Sequence, residues 1–450
     1  MKLSKTEFFK DEYCATVVRI GQVAPIEGAD RIVQTHVNGL SMVIRKEDFK
    51  EGDIAIYAAN ETQLHKDFLR LNNMYSDPEL NNDTEQKGYI NKQGRVKLIR
   101  LKGIPSYGLL IKPESLSVFL GEKVTATDLE AHVGEDFDAI NDERFIQVYI
   151  PPRVQKEPRV SKPHQRQPKF KMLIDDSFRF HYDTRQFAKE IADFKPNDEV
   201  TISVKLHGTS AIFAHILTNE PTRFWVRLWR KYIKHLPPLK QAYNIVYSSR
   251  TVIKNEFINP AKPADFYTGD IWGYWAKIIE PYIPKDYCLY CEILGFTPDG
   301  SVIQKGYDYG CLPTDGVTSK MMIYRITDHD KELEISAVIR FAEQLREQLG
   351  DIIFPYPLLY QGKLKNLYPD LPTNKHWHEN VLERLKNDKT FHMNEREPLC
   401  RQDVPREGIV IRKTGDVVAE AWKLKCDKFM LRESTIIDSG EIDIEMQQSL

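Results

Sequence analysis

From Tyr13 to about Leu120 the chain is a succession of short β-type runs, and no strong helical period interrupts them. The runs are Ala15 to Ile20, Arg31 to Val37, Ser41 to Arg45, Asp53 to Ala58, Arg95 to Arg100 and Gly108 to Ile111. Turn signals separate them: Glu27-Gly28-Ala29-Asp30, Asn38-Gly39 and Glu51-Gly52-Asp53. Five or six short strands in series point to a small β-barrel, an architecture that often presents a strand face to oligonucleotides.

Between Pro151 and Lys171 the composition shifts to prolines interleaved with Arg153, Lys156, Arg159, Lys162, Arg166 and Lys169. Proline makes this an extended linker; the cations make it either a solvated spacer or a strap that tracks phosphates. From about Phe178 onward β-type runs return with helices inserted between them. Val200 to Val204, Cys288 to Gly295, Met321 to Ile326, Ile409 to Arg412 and Ala419 to Lys425 read as strands. Lys331 to Leu349 reads as a helix stopped by Gly350, and Arg223 to His235 as a basic helix, either gripping a nucleic-acid backbone or simply solvated. The fold class expected is α+β, divided as 1–150 (barrel), 151–171 (linker) and 172–450 (mixed domain).

At 450 residues with 41% hydrophobic content, the chain is long enough for two or three domains with a sizeable core. A formal net charge of −2 confines any nucleic-acid surface to a local patch. The start, Met1-Lys2-Leu3-Ser4-Lys5, has no apolar leader and no apolar stretch of about 18 residues follows, so a cytoplasmic location without a membrane partner is expected. Six scattered cysteines do not make a disulfide framework. Cys288 and Cys291 form a lone C-x-x-C with apolar neighbours, which reads as buried structure ahead of metal binding.

The residues that carry chemistry lie on or beside the later strands. Lys205, in Val204-Lys205-Leu206-His207-Gly208-Thr209-Ser210, is delivered by a strand, and Gly208 lets the backbone turn close to a ligand. Such a lysine is either a nucleophile for phosphorus or an ordinary strand-end cation. Glu407, with Gly408 beside it, precedes the strand Ile409 to Arg412, a placement from which a carboxylate can reach a divalent cation. Lys423 and Lys425 share one strand face by two-residue alternation, Trp422 and Leu424 the other, and a pair of cations suits a phosphate chain. Glu292, a carboxylate within the apolar Tyr290 to Gly295 run, needs a partner such as a ribose hydroxyl or a cation. Tyr324 offers a ring for a purine or a core contact, and Arg250 a phosphate or sugar clamp or a salt bridge.

Taken in order, Lys205 to Ser210, Ser249-Arg250-Thr251, Glu292 to Gly295, Tyr324, Glu407 to Ile411 and Trp422 to Lys425 resemble the nucleotidyltransferase motifs of ATP-dependent polynucleotide ligases. His207 after Lys205-Leu206 is similar to nick-sealing RNA ligases, where DNA ligases and capping enzymes usually carry Asp. Pro25 to Arg31, Phe49 to Asp53, Arg100 to Gly103 and Ser106 to Leu110 resemble the OB domain fused ahead of one RNA ligase subfamily. Phe180 to Thr184 and Gly306 to Gly310 extend the likeness.

The resemblance implies an OB barrel followed by an adenylyltransferase domain of antiparallel sheets and helices. It implies an ATP-dependent RNA ligase that uses Mg²⁺ or Mn²⁺ and acts as a monomer on nicked RNA or an RNA-containing duplex, in repair. Lys205 would form a lysyl-adenylate, with Lys423 and Lys425 assisting at the α-phosphate. His207 and Gly208 would lie against the nucleotide, Arg250 and Glu292 on the ribose and Tyr324 on adenine. Glu407 would bind metal, with Glu292 as a second candidate. His207 departs from the acidic residue of many relatives, so it is expected on a phosphate or leaving group rather than a metal. The 83-residue interval from Tyr324 to Glu407 has no readable role. Two other readings stay open: a DNA ligase or a ligase tolerant of either sugar, and a non-catalytic binding protein on a transferase scaffold. Retention of Lys205, Glu407, Lys423 and Lys425 argues against the last.

Overall fold

The computed structural model describes residues 1–151, 170, 172–182, 184–220, 240–260, 267, 269–414 and 420–440. Residues 152–169 of the expected linker and the basic run 223–235 lie outside them. The chain divides into two compact units: one holds the described residues before 166 with Ala188–Ile191 and those from Met430 onward, the other the remainder.

In the first unit, β1 (Ala15–Arg19), β2 (Ile32–Val37), β3 (Leu40–Arg45), β4 (Ile54–Ala58) and β5 (Leu109–Ile111) match the expected runs within a residue or two. β1 and β4 pair antiparallel, β5 pairs with β4, and β2 with β3. The central strands are apolar on both faces because each face has its own core. Val18, Ala55 and Tyr57 join Val33, Val37, Met42 and Ile44 in the barrel interior. Ala15, Val17, Ile54 and Ile56 face outward to Phe68, Leu69, Leu116 and Leu129. Those last four lie on Lys66–Leu71, Pro113–Leu120 and Ala126–Leu129, helices absent from the sequence reading. At 4 to 8 residues they are too short to show a period. The 95–100 run is also corrected: it breaks into Arg95–Val96 and Ile99–Leu101.

Arg95 anchors this unit. It is fully buried, its Nε donating to Glu61 Oε2 at 2.7 Å and its Nη2 to the Ser434 carbonyl at 3.0 Å, while Nη1 meets Asp438 at 2.5 Å. Burial pushes the Glu61 carboxyl above its usual range, and the Arg95 charge opposes this.

In the second unit two five-stranded sheets carry the motifs. In the first sheet Arg185–Gln186 is followed by β13 (Ala421–Lys425), β12 (Gly408–Lys413), β6 (Glu199–Lys205) and β11 (Leu358–Lys363). In the second the order is β8 (Gln241–Ser248), β7 (Thr209–Asn219), β9 (Tyr287–Gly295), β10 (Ser319–Asp328) and Lys331–Glu332. One face of the second sheet packs Phe213, Leu289, Ile293 and Ile323 against α1 (Ile271–Ile279) and α2 (Ile335–Leu349). The helix expected from Lys331 therefore begins at Ile335, because Lys331 and Glu332 instead pair with Asp328 and Thr327 as an edge strand. α3 (Trp377–Lys386) and α4 (Asp427–Asp438) complete the set used below.

Cys288 and Cys291 sit three apart on β9 and so face opposite cores, as the structural reading required. Burial pushes the Cys288 thiol up to about 12 and the Cys291 thiol well above its ordinary value. At pH 8 the Cys288 thiolate fraction is then on the order of 10⁻⁴. Native protein is expected to leave both thiols unlabelled by a maleimide over the time in which denaturant exposes them; labelling at equal rates would sink the assignment. In the first unit, Arg95→Met strands the Glu61 carboxylate and is expected to lower stability by about 3–5 kcal/mol in urea unfolding. A loss below about 1 kcal/mol would mean that the clamp does not hold.

Candidate active site

The first sheet has one apolar face and one reactive face, set by strand alternation. Ile202, Val204, Ile409, Ile411, Trp422 and Leu424 are all buried, and their register puts them on a common side. Phe194 caps that side with its ring 4.7 Å from Trp422. The opposite side holds a cross-strand row: Lys205 stands opposite Gly408, and Gly408 opposite Lys425. The next row is Ser203, Val410 and Lys423, and the one beyond it Thr201, Arg412 and Ala421. Lys423 and Lys425 thus share a face, as the alternation predicts. Gly408 is small for a reason: a Cβ there would lie 2.2 Å from the Leu424 carbonyl and 2.8 Å from the Lys425 Cα.

Glu407 enters this face directly before β12. Its side chain is completely buried, with Lys205 Nζ 2.7 Å and Lys425 Nζ 3.5 Å from Oε1, and His207 Nδ1 3.6 Å from Oε2. Among the described residues, neither carboxylate oxygen makes an aligned hydrogen bond beyond these ion-pair contacts. The site is therefore a buried anion held by surrounding charge, a condition that costs stability unless a further donor or cation completes it.

Residues 206–208 carry the chain from β6 in the first sheet to β7 in the second. His207 is buried edge-on between Tyr307 and Phe429, with ring centroids 4.8 and 5.0 Å away. Its backbone N–H donates to the Tyr309 hydroxyl at 2.7 Å. Gly208 donates to Glu292 Oε1 at 2.9 Å, and its carbonyl accepts from Gln304 at 2.9 Å. A Cβ on Gly208 would meet the Ile293 carbonyl at 2.3 Å, so the turn lies flat on β9. Glu292 on β9 is thus within reach of the turn.

Glu292 and Met322 are opposite each other, and a bulge between Tyr290 and Cys291 inserts Tyr324 into β10 on that side. The His181 ring meets Tyr324 edge-on at 5.7 Å, and the Arg412 guanidinium lies 5.9 Å over it. Burial, reinforced by the Glu292 charge, pushes the Tyr324 phenol upward. A cavity of about 370 Å³ opens beside the ring, bordered by Thr201, Arg325, Glu332 and Arg412. Arg250 lies in the turn after β8, which doubles back through the Ser248–Ile253 bridge. Register puts that turn at the end of the sheet where Ser210 meets Glu292, since Ile212 pairs with Ser248.

The structure thus brings Lys205, His207 and Lys425 around the Glu407 carboxylate, and Gly208 onto Glu292. Lys423 lies on the Lys205 face of the first sheet, Tyr324 at the bulge of the second, and Arg250 in the turn at its end. Sequence reading missed Tyr309, Gln304, Arg412 and the Glu397–Arg406 pair. Tyr309 lay within a recognised segment but had no role; Arg406 adjoined Glu407; Gln304 gave no signal. Among the described residues no group of three or more His, Cys, Asp or Glu forms a metal cage.

Two sheets joined directly after a lysine-bearing strand, with a carboxylate between two lysines, make an α+β fold of the nucleotidyltransferase kind. The chain belongs to the RNA ligase family, whose model matches residues 198–426, and an OB-fold domain model matches residues 14–113. Solved structures of a Naegleria gruberi RNA ligase share the fold. A lysine-to-alanine variant with ATP and Mn is 17% identical, with a TM-score of 0.52 over 96% of this chain and 99% of that one. The form with AMP and Mn is 17% identical, with a TM-score of 0.53 over 93% and 98%. The form with PPi is 16% identical, with a TM-score of 0.53 over 94% and 98%. No curated protein sequence matches the chain. Among the described residues no helix is long and apolar enough to cross a membrane.

Gly208→Ala should wedge the turn off β9, lowering stability by about 1–3 kcal/mol. Unfolding midpoints and nucleotide binding check this; an unchanged midpoint would mean that the turn yields freely.

Proposed function

We propose that this RNA ligase uses ATP to join a 3′-hydroxyl to a 5′-phosphate at nicks, through a covalent lysyl-adenylate. The observation that carries the reading is Lys205 at the end of β6, where the crossover begins, 2.7 Å from a buried carboxylate. The Naegleria gruberi structures with ATP, AMP and PPi support the choice of nucleotide.

In the first step the Lys205 amine, deprotonated, bonds to the α-phosphorus as the bond to the β-phosphate oxygen breaks and pyrophosphate leaves. In the second the 5′-phosphate of the nucleic acid displaces Lys205 and carries the adenylate. In the third the 3′-hydroxyl attacks that 5′-phosphorus, loses its proton and releases AMP. These displacements depend on alignment and charge neutralisation. Lys423 and Lys425, on the Lys205 face, neutralise the α-phosphate. Glu292 and Arg250 hold the ribose, Tyr324 stacks on the adenine, and His207 lies toward the leaving pyrophosphate.

The residues fit a divalent cation: Glu407 offers a buried carboxylate that is held only by ammonium contacts, and Mg²⁺ or Mn²⁺ commonly takes only one or two carboxylates plus phosphate oxygens and water. Such a cation supplies positive charge that offsets the triphosphate. Glu292, which already accepts from Gly208, is the secondary candidate. Residues 1–150 are read as the substrate-binding barrel, 151–171 as linker and 172–450 as the transferase. The setting proposed is RNA repair by a cytoplasmic monomer.

Incubation with α-labelled ATP and Mg²⁺ or Mn²⁺, then denaturing electrophoresis and peptide mapping, tests this. Label on Lys205, lost in Lys205→Ala by at least about 10³-fold, is expected. The variant should still seal a pre-adenylylated nick at a reduced rate. Undiminished label in Lys205→Ala would overturn the assignment. Nicks with ribose or deoxyribose at the 3′ side would separate RNA from DNA sealing.

A further inference from the structure

Residues 388–406 fall in the interval between Tyr324 and Glu407 that sequence patterns leave unread, and they end directly before Glu407. Two of them form a buried ion pair. Glu397 is fully buried and Arg406 is 2% exposed. Arg406 Nε donates to Glu397 Oε2 at 2.8 Å, its Nη2 to Oε1 at 2.8 Å, and its Nη1 to the Phe391 carbonyl at 2.7 Å. Such a two-point fork fixes orientation as well as distance.

The backbone around the pair is tied at several further points. Arg406 N–H donates to the Glu395 carbonyl at 3.0 Å and Glu397 N–H to the Val404 carbonyl at 2.8 Å. The Tyr307 hydroxyl donates to the Pro405 carbonyl at 2.8 Å, and Tyr307 is the same ring that abuts His207. On the other side Cys426 N–H donates to the Glu407 carbonyl at 2.8 Å. Asn394 N–H reaches Cys426 Sγ at 3.4 Å, and its Oδ1 accepts from Lys428 N–H at 3.2 Å. The residue before Glu407 and the residue after Lys425 are thus both tied to this segment, and the Glu407 carbonyl is tied to that same Cys426.

Stability alone does not account for an ionic pair here, because well-packed apolar residues of similar volume usually stabilise a buried position at least as well. A fork that is rigid in direction and attached to the residue before Glu407 does account for it. We infer that Arg406 and Glu397 are positioning residues: they fix the backbone from which the Glu407 carboxylate is aimed, with 388–406 as their brace. The inference rests on the reading of Glu407 as a cation-binding residue.

The test uses the full-length chain with E397L, R406M, the double E397L/R406M and the conservative R406K. Urea midpoints report the fold; Mn²⁺ electron paramagnetic resonance in a Lys205→Ala background with ATP reports cation binding without turnover. Each single apolar variant leaves a buried charge and should unfold at lower urea. The double variant should recover the midpoint of the parent protein yet need at least about tenfold more Mn²⁺ for half-saturation. R406K, which keeps the charge and loses the fork, should need about three- to tenfold more, a result that remains readable if the double variant fails to fold. Mn²⁺ half-saturation equal to that of the parent in both R406K and a stable double variant would overturn the inference while leaving the functional reading intact. Absence of both Mn²⁺ binding and Lys205 labelling in otherwise native protein would overturn both.

Discussion

The catalytic unit is organised around one buried negative charge. A carboxylate removed from water must be met by cations or donors, and Glu407 is met by Lys205 and Lys425 from neighbouring strands. Register makes this possible. Gly408 sits between the two lysines in a single cross-strand row, and its missing side chain lets β13 close up on β12. Shift β13 by one residue and Lys425 turns into the apolar core while Leu424 turns out; shift β12 and Ile409 turns out. The apolar alternation of Ile202, Val204, Ile409, Ile411, Trp422 and Leu424 therefore specifies the position of the charges as firmly as it specifies the core.

The crossover 206–208 then brings in the second sheet. Gly208 lies so close to β9 that any side chain would strike the Ile293 carbonyl, and this proximity lets Glu292 accept its N–H. The same carboxylate faces the side on which the β10 bulge sets Tyr324. Reactive groups of two sheets are placed near one another by backbone pairing, with long side chains left only the last few ångströms to cover. A site assembled in this way sits on rigid elements, which favours the tight alignment that displacement at phosphorus requires.

Much of this was legible in sequence because strands repeat every two residues. The pairing of Lys423 with Lys425, opposite Trp422 and Leu424, follows from that period alone, and the strand boundaries around Lys205 and Glu292 lay within one or two residues of those found. Features built from long-range partners were not legible. Nothing near His207 announces that its N–H will meet Tyr309, 102 residues away. The short helices over the barrel carry too few residues to show a period, and the start of α2 moved because Lys331 and Glu332 found strand partners first. The bulge at Tyr324 is equally silent, since an extra residue in one strand shows only against its neighbour.

Two buried carboxylates on the same stretch of chain, ten residues apart, are compensated in different ways. Glu397 is satisfied on both oxygens by Arg406, and Oε1 also accepts from the Leu399 N–H. Glu407 is at least as deeply buried and has no aligned donor on either oxygen. The protein is therefore able to satisfy an acid in this setting and does so next door. Glu407 is instead compensated by the separate ammonium groups of Lys205 and Lys425, which come from two other strands. A carboxylate held by single ammonium contacts rather than by a two-point fork can exchange partners when a ligand arrives, so the way a buried acid is paired is a guide to its chemistry.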